Sequence, residues 1–129
     1  MSAARLPQLL RRSGDELGIP ARFLLAVRLT NDEELRALNR RFAGIDETTD
    51  VLAFPAGAPP AGRERQVGDI ALSVERALSQ SADGPAELRL LAVHGLLHCI
   101  GHDHHEASAA AAMTAATRRL LPGERVPDL

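Results

Sequence analysis

The chain has 129 residues, a hydrophobic fraction of 45%, a charged fraction of 25% and a formal charge of −2 at pH 7. This length suits one domain with one hydrophobic core, and the composition is that of an ordinary globular protein, which excludes disordered and fibrous classes. The slightly negative charge argues against a protein that holds nucleic acid by its overall positive field, so an anionic partner would have to be bound locally.

The predicted elements alternate between helices and strands. Apolar spacing, caps and chain breakers place the elements. The first half is predicted to contain a helix over 6–17 closed by Gly18 and Pro20, a strand over 23–29, a helix capped by Asn31 or Asp32 and ended by Gly44, and a strand over 51–54. After a loop over 56–62, the second half is predicted to contain a strand over 67–74, a helix over 75–79, a break at Gly84 and Pro85, and helices over 86–100 and 105–121. This order predicts an α+β fold in which a short mixed sheet of three or four strands is packed by about five helices.

Cysteine content and the first residues bear on location. Cys99 is the only cysteine, so an intrachain disulfide is excluded and a reducing compartment suits the chain. The first twenty residues contain no apolar segment of signal-peptide length. The apolar stretch over 90–100 is interrupted by His94 and His98, and no stretch is long enough to span a bilayer. We therefore expect a cytoplasmic protein without a membrane partner.

All five histidines lie between positions 94 and 105. His94 and His98 are four residues apart on a predicted helix, so their side chains lie on one face and can bind the same metal ion. Gly101 can end that helix in the left-handed conformation, after which the chain can reverse and bring His104 to the same ion. Three protein ligands leave one tetrahedral position for water, as in catalytic zinc sites.

This ligand set predicts a metal-dependent hydrolase. Bound zinc lowers the pKa of water from about 15.7 to about 7 and stabilises charge on the attacked group. One zinc ion is expected, although imidazole ligands also bind other divalent metals.

The spacing of the three histidines is also that of the metzincin proteases and predicts a zincin-like metal helix. Those proteases carry a Glu directly after the first histidine as general base, and this chain has Gly95 there. The spacing therefore indicates the metal but not peptide cleavage. Gly95 either lets substrate or backbone approach the ion or serves helix packing.

The neighbouring polar residues receive separate interpretations. Adjacent helical positions point about 100° apart, so Cys99 is expected in the core rather than at the ion. Asp103 either accepts a hydrogen bond from a ligand imidazole and so fixes the tautomer of that catalytic ligand, or stabilises the turn. We expect His102 and His105 to be exposed neighbours rather than ligands.

The run His94-Gly95-Leu96-Leu97-His98-Cys99-Ile100-Gly101-His102-Asp103-His104 resembles the signature of the YbeY family of bacterial endoribonucleases, H-G-x-L-H-x-x-G-x-D-H. Segments 30–34, 38–42, 49–55 and 68–70 also look like that family. The resemblance implies a single-strand-specific endoribonuclease that matures the 3′ end of small-subunit (16S) rRNA and takes part in ribosome quality control. Its partners would be ribosomal RNA and the ribosome or ribosomal proteins. The signature histidines bind zinc in the family, which implies that zinc-bound water attacks a phosphodiester here.

The chain also departs from the family pattern. Ala43 stands where the family usually has an Arg that is thought to contact RNA phosphate, and Arg40 or Arg41 could substitute from the preceding turn. Ile45 and Thr48 replace the usual Lys and Pro, which thins the basic edge of the groove. Family members commonly begin with a further strand for which no counterpart is predicted here, and its loss would leave the sheet one strand short.

Two other functions stay open. One is a metal-dependent hydrolase of peptides or another small substrate, which the ligand spacing favours and Gly95 disfavours. The other is a ribosome-associated factor that is not an enzyme, whose metal only locks the helix to the following turn. A fourth protein ligand, such as His102 or His105, would support that last interpretation.

Overall fold

A mixed sheet with β3 at its centre forms one side of the core. The computed structural model describes residues 4–19, 23–56 and 65–129. Its strands are β1 (Phe23–Thr30), β2 (Val51–Pro55) and β3 (Arg65–Ser73). β1 pairs with β3 in parallel and β2 pairs with β3 antiparallel, so the order is β1-β3-β2. The predicted α+β fold with a short mixed sheet is confirmed, with three strands in the described part of the chain.

Five helices surround this sheet within the described residues, as predicted. They are α1 (Leu6–Glu16), α2 (Asp32–Ala43), α3 (Val74–Gln80), α4 (Gly84–Cys99) and α5 (Ala107–Leu120). α4 packs on β2 and β3 and is itself contacted by α1, α3 and α5. Leu88, Leu96 and Leu97 of α4 are fully buried, as expected of a helix that is covered on most sides. Among the residues described, no helix combines the length and apolarity needed to cross a bilayer.

The start of α4 differs from the prediction. Gly84 and Pro85, predicted as a break, form the first turn of the helix, and the Asp83 side chain caps it by accepting a hydrogen bond from the Ala86 N–H at 3.1 Å. Proline is tolerated there because the first helical N–H groups have no partner within the helix. Two further boundaries also differ from the prediction, and that of α3 is set by a side-chain cap, because the Ser73 hydroxyl accepts a hydrogen bond from the Arg76 N–H at 3.1 Å. Val74 begins α3 instead of ending β3, and α5 begins at Ala107. The predicted loop over 56–62 lies, except for Ala56, outside the described residues.

α2 has well-defined caps at both ends. The Asn31 side chain accepts a hydrogen bond from the Glu34 N–H at 2.9 Å, so Asn31 and not Asp32 is the N-cap. Gly44 ends the helix with a φ of 72°, as predicted. Asp32 instead accepts a hydrogen bond from the Ser73 hydroxyl at 2.7 Å and pairs with Arg76, which ties α2 to the junction of β3 and α3. These contacts lower the pKa of Asp32.

Replacing Asn31 with alanine should lower the free energy of unfolding by about 1 kcal/mol, because it leaves an N-terminal N–H of α2 without its side-chain acceptor. Urea denaturation of the purified protein measures this loss. Asn31→Asp serves as the matched control, since aspartate caps as well as asparagine and should keep nearly the full stability. An equal loss in both variants would contradict the capping role.

Candidate metal centre

α4 carries two histidines on one face and is held against the sheet by a glycine between them. A Cβ atom on Gly95 would lie 2.8 Å from Cγ2 of Ile70, the residue of β3 that is paired on both sides, with Val27 and Ala53. A larger residue would push the helix off the strand. Of the two roles predicted for Gly95, the structure supports helix packing.

The chain reverses directly after α4. The Gly101 N–H donates to the His98 carbonyl at 3.1 Å, and the His102 N–H donates to the Leu97 carbonyl at 2.9 Å. Gly101 has a φ of 104°, which a residue with a side chain rarely adopts. The reversal returns His104 to the face of α4 that carries His94 and His98.

The three imidazoles converge. Their ring centroids are 4.5 Å apart for His94 and His98, and His104 lies 5.6 Å from each of them. One ligand atom from each ring lies within 4.8 Å of the other two. The Nε2 atoms of His94 and His98 are 2.9 Å apart. The structure therefore brings together the three residues that the sequence proposes as metal ligands.

The protonation state of two of these rings, His94 and His98, favours the binding of a metal cation. Burial, followed by the neighbouring His98 and His104, lowers the pKa of His94 to about 4. Burial also lowers the pKa of His98. Both rings are therefore neutral at physiological pH and offer lone pairs, which is the form that binds a metal. Imidazole nitrogens suit zinc and other borderline divalent ions, so the residues present fit the metal that the sequence predicts.

The other polar residues of the turn lie outside this group. The Asp103 carboxylate accepts a hydrogen bond from the His105 N–H at 3.2 Å, which is the turn-stabilising role of the two predicted for it. In the described residues, none of its hydrogen bonds reaches a ring of the triad. His105 is exposed and stacks on His104 with centroids 5.9 Å apart, whereas His102 is half-buried. The cluster of converging ligand atoms includes neither of them.

Cys99 points away from the histidines into the core. Its side chain is buried and would be 2.8 Å from a Cβ atom on Gly68 of β3. Burial, with the nearby Asp69 carboxylate, raises the pKa of its thiol to about 11. The thiol therefore stays protonated, which suits a structural role rather than a ligand or a nucleophile.

Arg40 and Arg41 occupy the last turn of α2 and are exposed. The Arg41 guanidinium lies 5.1 Å from the centre of the Phe42 ring, and this ring meets Phe54 of β2 edge to face at 5.4 Å. Phe42 thus joins the end of α2 to the strand on which α4 packs. The guanidinium edges of the two arginines are left for solvent or an anion. Ala43 follows them without a charge.

Two carboxylates near His94 were not predicted from the sequence as part of the site. Asp50 precedes β2, and Glu87 lies seven residues before His94, which is two helical turns along the same face of α4. The Gln80 side-chain amide lies 3.3 Å from Asp50 and 3.5 Å from Glu87, so the two acids are close together. The seven-residue spacing could have indicated Glu87, but Asp50 reaches it only through the fold.

The fold and the site define the class of the protein: a small α+β protein in which a buried helix and the following turn form a three-histidine candidate metal centre. A family model described as "Endoribonuclease YbeY" matches residues 2–123. The chain belongs to the YbeY family, which confirms the resemblance seen in its signature.

Curated relatives of the chain carry the same name. A Rhodopseudomonas palustris endoribonuclease YbeY is 41% identical over 111 residues, which cover 81% of this chain and 58% of that protein. The Moorella thermoacetica endoribonuclease YbeY is 35% identical over 131 residues, covering 92% of this chain and 83% of that protein. The chain spans between 58% and 65% of the length of four Rhodopseudomonas relatives.

A solved structure shares the fold. The solution structure of TM1509 from Thermotoga maritima matches with a TM-score of 0.54 and 22% sequence identity. The match covers 94% of this chain and 90% of that one. This likeness supports the fold described above.

Proposed function

We propose that the chain is a single-strand-specific, metal-dependent endoribonuclease. The observation that carries the proposal is the convergence of His94, His98 and His104, with His102 and His105 outside the group. A site with three protein ligands keeps a position for solvent or substrate, as catalytic sites require. Membership of the YbeY family and the name shared by its relatives support RNA as the substrate.

Zinc is the proposed cofactor. When bound to three imidazoles, zinc supplies a Lewis acid and a water whose pKa is near 7. His94 and His98 contribute neutral, half-buried imidazoles, so binding of the ion at these two residues requires little displacement of protons. Gly95 lets α4 approach β3 closely and thereby fixes the position of His94 and His98 relative to the sheet.

The physiological substrate we propose is the 3′ end of small-subunit (16S) rRNA, with a role in ribosome quality control. Ribosomal RNA and the ribosome or ribosomal proteins would be its partners, in the cytoplasm. These assignments follow the family resemblance, and the weak negative charge of the chain is consistent with them if RNA is bound at local arginines rather than by an overall field.

The activity can be tested with end-labelled RNA and protein of known zinc content. We expect the zinc-loaded protein to cut a single-stranded RNA and to leave the same sequence intact in a duplex. A chelator should stop the cleavage, and added zinc should restore it. An RNA precursor with a 3′ extension beyond the mature small-subunit end would test the site of cleavage.

A His98→Ala protein purified in parallel controls for contaminating nucleases, because it should lack the activity. Intact single-stranded RNA in the presence of a protein with one equivalent of zinc would contradict the proposal. If such a protein instead cut members of a peptide library, the metal-dependent hydrolase of another substrate would replace it.

Arg40 and Arg41 are the proposed contacts to RNA phosphate. Replacing both with glutamine should weaken RNA binding to a similar extent for every sequence and reduce the salt dependence of log Kd by about one unit per lost contact. Titration of labelled RNA at several salt concentrations measures both effects. Arg11 and Arg12 on α1 offer a matched control pair, and equal losses in both double variants would contradict a local role for the α2 arginines.

A further inference from the structure

A cavity of about 200 Å³ lies next to the candidate metal centre. It is lined by residues of α4, α5, the start of β2 and the segment 126–129, and His94 forms part of its wall. The volume is below the roughly 300–1,000 Å³ of pockets for drug-sized ligands, so it suits a single flat ring system. Leu90, Leu91 and Val126 supply apolar surface against which such a ring could pack.

The polar groups of this cavity are mainly acceptors. The hydroxyls of Thr114 and Thr117 already donate to the Ala110 and Met113 carbonyls, at 2.9 and 2.8 Å. The Thr114 oxygen also accepts from the Leu129 N–H at 3.2 Å. The other polar lining comes from the carboxylates of Asp50 and Glu87 together with His94. A ligand that satisfies this lining must bring hydrogen-bond donors.

The carboxylates of Asp50 and Glu87 also share a single side-chain hydrogen-bond donor in the described part of the chain. This donor is the Gln80 amide, at 3.3 and 3.5 Å. Burial, and next the charge of Asp50, raises the pKa of Glu87. A ligand with N–H groups would relieve the repulsion between the two acids and replace the water that each of them loses on burial.

We propose that this cavity, which we call the base pocket, binds a guanine base of the RNA substrate, with Asp50 and Glu87 accepting hydrogen bonds from its N1–H and its exocyclic amino group. This proposal rests on the proposed function. Guanine is the base whose Watson–Crick edge presents two adjacent donor groups, whereas uracil has one donor between two acceptors, and adenine and cytosine each combine an amino group with an acceptor. Proteins read unstacked RNA bases through these edges.

The base pocket lies next to the candidate metal centre, so a guanine bound in it would determine where the RNA is cut. His94 belongs both to the wall of the pocket and to the converging imidazoles. A guanine held there would place its adjoining phosphodiester beside the three histidines. The enzyme would then cut single-stranded RNA preferentially next to guanine, and pairing of that guanine in a duplex would hide the edge that the pocket recognises.

The test combines nucleoside binding with mapping of cleavage sites, both on zinc-loaded protein. Calorimetric titration should show guanosine binding about tenfold more tightly than adenosine, cytidine or uridine, the discrimination typical of a bidentate base contact. A single-stranded RNA that contains all four nucleotides should be cut mostly next to guanine. In Glu87→Gln and Asp50→Asn proteins, both preferences should fall about tenfold. Glu16→Gln, an exposed change on α1, should keep them.

The outcomes separate this inference from the function on which it rests. Guanosine preference without any RNA cleavage would support the base pocket and overturn the proposed function. Cleavage without base preference, together with equal binding of the four nucleosides, would overturn the base pocket and leave the function standing. A guanosine preference that survives in both carboxylate variants would also overturn the base pocket. If one variant does not fold, the other carries the test.

Discussion

Replacing His98 with alanine should reduce the metal content from about one equivalent to nearly none and abolish RNA cleavage. Loss of a residue that only hydrogen-bonds a metal ligand costs about 10–100-fold in metal affinity or activity, so loss of a direct ligand should cost more than 100-fold. The fold should survive, because His98 is only half-buried and alanine is the best helix former. Elemental analysis, circular dichroism and the RNA assay on the same preparation measure the three effects.

His94→Ala and His104→Ala should behave in the same way, because their ligand atoms converge with that of His98. His102→Ala and His105→Ala are the matched controls, since these rings lie in the same turn but outside the converging group. A bound metal that persists in His98→Ala would contradict the three-ligand centre. Loss of the metal in His102→Ala or His105→Ala would indicate a fourth ligand and favour the closed site of a ribosome-associated factor that is not an enzyme.

The candidate metal centre could be predicted because its geometry is local. Two histidines four residues apart on a helix lie on one face whatever the rest of the fold, and a glycine that follows the second one allows the reversal. All three side chains therefore come from eleven consecutive residues, 94–104, and no long-range pairing is needed to bring them together. The caps of α2 were predictable for the same reason, although only the structure distinguishes Asn31 from Asp32.

The features that depend on tertiary contacts could not be predicted. Asp50 meets Glu87 only because β2 lies beside α4, and nothing near Asp50 in sequence indicates that neighbour. The role of Gly95 was undecided for a similar reason, since Ile70 of β3 is far from it in the chain. The apparent break at Gly84 and Pro85 was misread because proline ends a helix in one position and begins it in another.

Gly68→Ala should be the most destabilising small change in the sheet, with a loss of about 2–4 kcal/mol in the free energy of unfolding. A Cβ atom at this position would lie 2.5 Å from the Phe54 carbonyl oxygen and 2.8 Å from the Cys99 sulfur. The first neighbour is backbone of the paired strand β2 and cannot rotate away. Gly68 also has a φ of 154°, which favours glycine. Urea denaturation measures the loss.

Gly18→Ala is the matched control for backbone conformation. Gly18 has a φ of 73° with open space around its would-be Cβ atom, so this change should cost only about 1–2 kcal/mol. Equal losses in the free energy of unfolding of the two variants would mean that the close approach of Phe54 and Cys99 to Gly68 adds nothing to the destabilisation.

Gly68→Ala should also weaken metal binding, because Cys99, which the added methyl group would contact, directly follows His98 on α4. A methyl group that pushes the Cys99 sulfur would shift the end of the helix on which His98 lies. Adding Cys99→Ala to Gly68→Ala should therefore restore much of the zinc affinity. It should restore little of the stability, because the contact with the Phe54 carbonyl remains. Zinc titration of the single and double variants separates these effects, and unchanged zinc affinity in Gly68→Ala would show that β3 does not position the metal helix through this contact.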